Sequence, residues 1–432
     1  MKTRNRIAVT FLSLAATGSL AQGLDPVERR VISDVKANSA AAVGFLEKTV
    51  RVNSGTLNLE GVREVGKLFA AEFEALGFTT RWIAMPPEMN RAGHFVATRK
   101  GTKGKRLLLI GHLDTVFEKG SSVPLWDRRD ATVRGQGATD MKGGDVIVLE
   151  ALRALHREGA LDDTTITVFF TGDEERVGNP VDKARADFIG AAKASDIALA
   201  FEGTVVRDGR PTATIARRAS SGWVVKVTAK PGHSAGIFSE GSGYGAIYEG
   251  ARIINAFREQ LREQDLTYNV GLVVGGTSAR YDESTATANA FGKINVIPEH
   301  MEIVGDLRYV DYAQRDRTHQ RMREIVEQSL PHAKSTISFH EGYPPMAPTE
   351  GNLRLREIYS RASADAGLGT IEPLPISERG AGDVQFVAPY VDSLDGLGAT
   401  GKGSHTDNEE LEIASIERGA VRAAVVIYRL TR

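Results

Sequence analysis

The stretch Arg106-Leu107-Leu108-Leu109-Ile110-Gly111-His112-Leu113-Asp114-Thr115 decides how this chain is read. Four apolar residues in a row, with no polar alternation, predict a strand in a parallel or mixed sheet covered on both faces. The strand then runs out through glycine, histidine and aspartate. Residues 164–171 and 197–201 are two more apolar runs of the same kind. Between and after the three runs, residues 144–158 and 181–194 carry apolar side chains at helical spacing. Upstream, residues 26–49 and 58–77 read as amphipathic helices, the second through Val62, Val65, Leu68, Phe69, Phe73 and Leu76. Residues 78–83 and 95–98 read as short strands. Strands alternating with helices predict an α/β fold, a sheet with helices on both faces.

Near residue 220 the pattern changes. Residues 222–230 alternate valine with polar residues, as a half-exposed strand does. A helix is expected over 245–264, strands over 268–274 and 300–310, a polar helix over 311–330 and a last strand over 336–340. Pro344, Pro345 and Pro348 then mark a return linker. A helix at 353–366, a glycine-rich segment and a helix at 414–430 complete the chain. The expected organisation is one α/β domain built from residues 22–217 and 344–432, with an α+β domain, residues 218–343, inserted in it.

Composition narrows the chemistry. The 432 residues are 41% hydrophobic and 25% charged, an ordinary globular composition. Lys+Arg 54 against Asp+Glu 55 gives a net charge of −1, which excludes a basic nucleic-acid footprint. There is no cysteine. Disulfides, thiolate nucleophiles and cysteine-ligated metals are therefore excluded, and a metal site must be built from His, Asp and Glu. At the N-terminus, Lys2, Arg4 and Arg6 precede an apolar run at 7–20, and Ser19-Leu20-Ala21 offers small residues for a peptidase. This is the pattern of a secretory signal over residues 1–21; the run is shorter than the ~20 residues a membrane span needs. Its removal takes away three positive charges and leaves the mature chain near −4. A secreted or periplasmic protein, with no membrane segment after cleavage, is expected.

Five short segments carry the acids and histidines: His112 with Asp114; Gly137-Ala138-Thr139-Asp140; Thr171-Gly172-Asp173-Glu174-Glu175; Glu202-Gly203; and Gly403-Ser404-His405-Thr406-Asp407. Each sits at the end of an expected strand or in a glycine-rich turn. The strand-end edge is where open α/β sheets bind ligands. Asp114, two residues beyond His112, is spaced to hold the imidazole from behind. So many carboxylates and two histidines around one sheet edge would repel without a cation. Oxygen and imidazole donors suit Zn²⁺, with Co²⁺ or Mn²⁺ as alternatives. Five ligands exceed one tetrahedral zinc and fit two metals sharing a carboxylate.

These segments, in this order, resemble the zinc exopeptidase family that includes carboxypeptidase G, aminoacylase-1, acetylornithine deacetylase and succinyl-diaminopimelate desuccinylase. The likeness spans residues 30–430 and rests on GHLDTV at 111–116, GATDMKGG at 137–144, TGDEE at 171–175, EG at 202–203 and SHTDNE at 404–409. It implies one zinc on His112 and Glu202, a second on Glu175 and His405, and Asp140 bridging them. It implies Glu174 as general acid and base, Asp114 as the residue orienting His112, and a cis peptide after Asp140. The insert resembles a lid and dimerisation domain. There the likeness implies that His233, in PGHSAG, stabilises an oxyanion, from the partner subunit in dimeric relatives. Asn295 and Arg308 match substrate-contacting positions, Arg308 as a clamp for an α-carboxylate. Gly380-Ala381-Gly382-Asp383 matches a substrate-side loop.

The expected activity is hydrolysis of a small peptide or N-acyl amino acid with a free carboxylate, in the manner of a glutamate carboxypeptidase, by a homodimer. One departure bears on the substrate. Residues 338–344, on the strand returning from the insert, contain no Arg or Lys, whereas glutamate-releasing relatives carry a basic residue there. A broader aminoacylase or dipeptidase is the alternative. Two readings of other classes are weaker. Gly232-His233-Ser234-Ala235-Gly236 also satisfies the G-x-S-x-G elbow of serine hydrolases, but it falls in the insert and leaves the acidic segments unexplained. A binding protein that kept the fold without catalysis would be expected to have lost a ligand or the base, and none is lost.

Overall fold

The computed structural model describes residues 23–283 and 285–432. The expected leader, residues 1–21, lies outside the described residues.

The main sheet has six strands in the order Thr79–Ile83, His94–Arg99, Thr164–Thr171, Lys103–His112, Ile197–Ala200 and Asp392–Leu394. The last four are mutually parallel, and the first two run antiparallel to their neighbours. The apolar run at 107–110 lies at the centre and explains why no alternation was visible. Successive strand side chains point to opposite faces, and both faces are covered. Leu107 and Leu109 join the core formed with the helices Pro26–Val50, Gly143–Arg157 and Ala414–Leu430. Leu108 and Ile110 join a second core with Phe169, Phe188 and Phe386.

The register of these strands assembles the site. His112 pairs with Thr171, and Ile110 pairs with Ala200. The segments that follow, 173–175 and Glu202, therefore emerge beside His112 at one edge. Gly144, in the first turn of the Gly143–Arg157 helix, lies so close to the Phe201 carbonyl that a side chain there would collide with it. That approach brings the Asp140 segment against Glu202.

One expectation needs correction, and one small sheet had none. Residues 181–194 were expected as one helix. The structure has Val181–Ala184 and Ala186–Lys193, broken at Arg185 (φ −103°, ψ 3°), whose guanidinium turns inward to two aspartates. A small four-stranded sheet, Gly401–Lys402, Glu410–Glu412, Thr132–Arg134 and Asp127–Arg129, was not expected, because strands of two or three residues show no periodicity. It folds the 403–409 turn back over Asp140.

Residues 220–343 form a separate antiparallel sheet in the order Thr267–Gly276, His300–Arg308, Ser220–Ala229 and Ala333–Tyr343. Trp223, Val225, Val227, Ile303 and Leu307 pack beneath the helices Gly245–Gln260 and Tyr312–Glu327, meeting Ile253, Phe257, Met322 and Ile325 in a core of their own. A further hairpin, Ser278–Asp282 with Thr287–Phe291, escaped the sequence because its small and polar residues carry little apolar pattern. Among the described residues no helix is long and apolar enough to cross a membrane.

Candidate active site

His112 ends the central strand with its ring buried, and its two nitrogens have different company. Nδ1 lies 2.9 Å from the Asp114 backbone oxygen, where only an N–H can sit favourably. In the neutral ring that leaves the lone pair on Nε2. Nε2 lies 3.3 Å from Asp140 Oδ1 and 3.5 Å from Glu202 Oε1. A lone pair aimed at two carboxylates is repulsive unless a proton or a cation stands between them. Asp140 then reaches the other way: its Oδ2 is 3.1 Å from His405 Nε2, which is 3.0 Å from Glu175 Oε2. Asp140 thus spans two imidazoles, one with Glu202 and one with Glu175. The peptide bond after Asp140 is cis.

The charges show what such an arrangement does by itself. Burial would lower the His112 pKa, but the carboxylates of Asp114, Asp140 and Glu202 around the ring outweigh it and hold it well above the usual imidazole value. His405, bonded to Asp140 and Glu175, is lifted to about 11. Against the effect of burial, the same two histidines hold Asp140 below the ordinary carboxylate range. Burial, with the Asp140 charge, pushes Glu175 up to about 7. Glu174 is raised well above its usual value, first by burial and then by Glu202 and Asp383.

This donor set fits divalent cations. Ligand atoms of His112, Asp140 and Glu175 lie within 4.8 Å of one another, and so do those of His112, Glu174 and Glu202. Glu175 Oε1 is buried and has no hydrogen-bond partner, the position of an oxygen waiting for a ligand that is not protein.

Asp114 meets His112 more closely through its main chain than through its carboxylate. Its carboxylate stands 3.6 Å from His112 Nδ1, too far for a hydrogen bond, and the backbone oxygen makes that contact instead. The carboxylate is occupied otherwise. It accepts from Thr56 Oγ1 (2.7 Å) and from the backbone amides of Glu174 (3.0 Å) and Glu175 (3.2 Å). It therefore fixes the turn that carries both glutamates.

Other residues at the site were not foreseen. Glu409, fully buried, accepts the backbone amides of Thr139 (2.9 Å) and Asp140 (3.2 Å); its place at the end of SHTDNE was the available signal. Asp173, the first acid of its triplet, faces away from the cluster. It binds Arg185 at 2.6 Å and the Gly178 amide at 2.8 Å. Arg185 also binds Asp383 at 2.9 Å, so that aspartate is structural. Tyr343, the last residue of the insert's returning strand, donates from its hydroxyl to the Glu174 backbone oxygen at 3.0 Å.

His233, Asn295 and Arg308 are not brought to the cluster. Gly232–His233 pairs with Val296–Ile297, which sets exposed His233 beside exposed Asn295 on the insert. Arg308 binds Asp306 through Nε at 3.1 Å. Ser234 lies in the same insert segment, whereas His405 is engaged with Asp140 and Glu175, so no serine–histidine pair forms between them.

The chain matches the family described as peptidase family M20/M25/M40 over residues 108–429. It belongs to this family. Among its relatives is carboxypeptidase G2 of Pseudomonas sp. (strain RS-16), 30% identical over 98% of this chain and 96% of that one. The solved structure of aminopeptidase PepT from Bacillus cereus superposes with a TM-score of 0.69 at 17% identity, covering 91% of this chain and 99% of the other. Bacillus subtilis YXEP, described as a dinuclear metal-binding peptidase of family M20, gives a TM-score of 0.62 at 13% identity, covering 91% and 99%. The fold is that of the M20 peptidases, and the chain is a hydrolase of the metallopeptidase class.

Proposed function

We propose that this M20 peptidase is a secreted di-zinc enzyme. It hydrolyses the amide bond of N-acyl amino acids or small peptides bearing a free C-terminal carboxylate, as a glutamate carboxypeptidase does. The observation that carries the reading is Asp140 spanning two imidazoles, each paired with a further glutamate. His112 and Glu202 would hold one cation, Glu175 and His405 the other, with Asp140 shared. When bound, two such cations lower the pKa of a water and polarise the scissile carbonyl. Glu174 is the base. Its carboxylate stands among His112 and Glu202, and its raised pKa suits a group that takes a proton from water and returns it to the leaving nitrogen. The water oxygen joins the carbonyl carbon, the carbon–nitrogen bond breaks, and the amine leaves with that proton.

The insert would complete the site in a homodimer. His233 Nδ1 accepts the Ala235 amide at 3.1 Å, so the neutral ring carries its proton on Nε2. That N–H suits an oxyanion. Asn295 beside it would contact substrate, as would Arg308. The leader pattern over residues 1–21 supports export. The similarity to carboxypeptidase G2 supports a glutamate-releasing activity, while the lack of Arg or Lys on 338–344 supports a broader aminoacylase or dipeptidase.

The test is a hydrolysis panel on zinc-reconstituted mature protein: one acyl group on C-terminal Glu, Asp, Leu, Met and Ala, each with and without chelator. Chelator-sensitive cleavage preferring Glu is the expected result. Chelator-sensitive preference for neutral residues selects the aminoacylase reading, and cleavage indifferent to chelator overturns the metal mechanism.

A further inference from the structure

Arg379 opens the loop Arg379-Gly380-Ala381-Gly382-Asp383, which is tied down at several points without its help. Arg217, buried against Asp395, donates through Nη1 to the backbone oxygens of Gly380 (2.8 Å) and Ala381 (2.7 Å). Gly382 packs so closely on that guanidinium that any side chain there would collide with it. Asp383 is held by Arg185 and by Thr171 Oγ1. Gln385 accepts the Gly382 amide at 2.9 Å and donates to the Arg218 backbone oxygen at 3.0 Å. The loop is thus a rigid mount, and Arg379 is what it presents.

Among the described residues Arg379 forms no side-chain hydrogen bond and no ion pair, and its Nε is shut off from solvent with no acceptor. Arg379 as a whole is only partly buried, but a guanidinium N–H shut off from water without an acceptor is penalised. The groups that act on it electrostatically are Arg217, Asp395, Glu202 and Asp140. Arg217 repels it, and Asp395 is already taken by Arg217. Glu202 and Asp140 are committed to the imidazoles of the cluster. A guanidinium fork with no protein partner therefore stands within electrostatic reach of the two carboxylates that face His112. Arg308, the other cation expected to contact substrate, lies on the insert with its Nε on Asp306.

We propose that Arg379 is a specificity-determining residue that pairs with a carboxylate on the amino-acid part of the substrate. The inference rests on the amide-hydrolase reading above and adds to it the residue that recognises the leaving group. A planar guanidinium meets a carboxylate through two parallel hydrogen bonds. Binding would supply the acceptor that Nε lacks. The carboxylate has two possible sources, the α-carboxylate or an acidic side chain.

The experiment compares wild type, Arg379→Ala and Arg379→Lys, all metal-reconstituted, on three substrates sharing one acyl group: the glutamate, the glutamine and the glutamate α-amide. Arg379→Ala is expected to lower kcat/KM on the glutamate roughly 10–100-fold, chiefly through KM, with Arg379→Lys recovering part. The analogue lacking the carboxylate that Arg379 reads should lose little. Sparing of glutamine identifies the side-chain carboxylate, and sparing of the α-amide identifies the α-carboxylate. Metal content and melting temperature should match wild type. An equal loss on all three substrates, or a loss of metal, overturns the proposal. If wild type cleaves none of the three, the hydrolase reading fails instead. Calorimetric titration with free glutamate then decides on Arg379: weaker binding in Arg379→Ala keeps its role, and equal binding ends it.

Discussion

The backbone amide of Glu174 donates to Asp114 Oδ1 at 3.0 Å, so the residue placed as catalytic base is hung by its main chain from the aspartate behind the metal-facing histidine. Asp114 Oδ2 takes the Glu175 amide and Thr56 as well. Three donors converge on one fully buried carboxylate. Asp114→Asn would turn an NH₂ toward at least one of them. Leaving a buried donor unsatisfied costs about 1–3 kcal/mol. Partners one step behind metal ligands typically alter affinity or activity ~10–100-fold. Asp114→Asn is therefore expected to lose both metal affinity and kcat by that order, measured by metal competition and turnover. A variant with wild-type metal affinity and rate would show that the turn holds without this anchor.

Glu174 itself makes no side-chain hydrogen bond among the described residues, in contrast to Glu175, which faces His405. The two neighbours divide the labour because adjacent residues in a turn point to different targets. Glu174→Gln should leave metal content intact and lower kcat by roughly 10²–10⁴-fold, the usual contribution of a positioned acid–base group. Glu175→Gln should instead release metal. If Glu174→Gln retained full turnover, another group would have to be the base.

The central strand was legible because an unbroken apolar run has only one comfortable home, a sheet covered on both faces. The cluster was legible because strand register carries His112, Glu174, Glu175 and Glu202 to one edge once the strands are placed. What escaped had a common cause. The partners of Asp114, Asp173 and Arg185 are backbone amides, or side chains distant in sequence, and neither leaves a local pattern. Asp173 shares a triplet with two cluster glutamates yet serves Arg185 and the Gly178 amide. The break at Arg185 was invisible for the same reason: residues 181–194 keep a helical period on either side of a residue drawn inward by two aspartates. The 278–291 hairpin carries too little apolar surface to announce itself.

Glu409 supports the cluster from beneath. Its Oε1 accepts two amides, from Thr139 and Asp140, while Oε2 is buried without a partner, and burial with the charge of Asp140 pushes the carboxyl up to about 8. A carboxyl near neutrality that only accepts through one oxygen can be replaced by an amide. Glu409→Gln is expected to keep melting temperature and metal content close to wild type. Glu409→Ala removes the acceptor and strands two buried amides at about 1–3 kcal/mol each. It should melt earlier and bind metal less tightly. Equal behaviour of the two variants in thermal melts and metal competition would refute the positioning role.

The insert has its own acid sensitivity. His319 stacks on Phe339 with ring centroids 3.7 Å apart, and its buried Nε2 meets no partner. Burial, reinforced by Arg323 and Arg315 and opposed by Glu341 and Asp316, pulls its pKa from 6.5 down to about 4. The folded state thus binds fewer protons than the unfolded chain between these two values. The contribution of His319 is complete above pH 6.5, declines as pH falls toward 4, and changes no further below that. His319→Phe keeps the stacking and removes the titration. Urea midpoints at pH 7.5 and pH 4.5 are expected to differ less in His319→Phe than in wild type. An unchanged difference would mean that the imidazole finds a proton acceptor in the folded insert, and that its neutral form is not what the Phe339 stack selects.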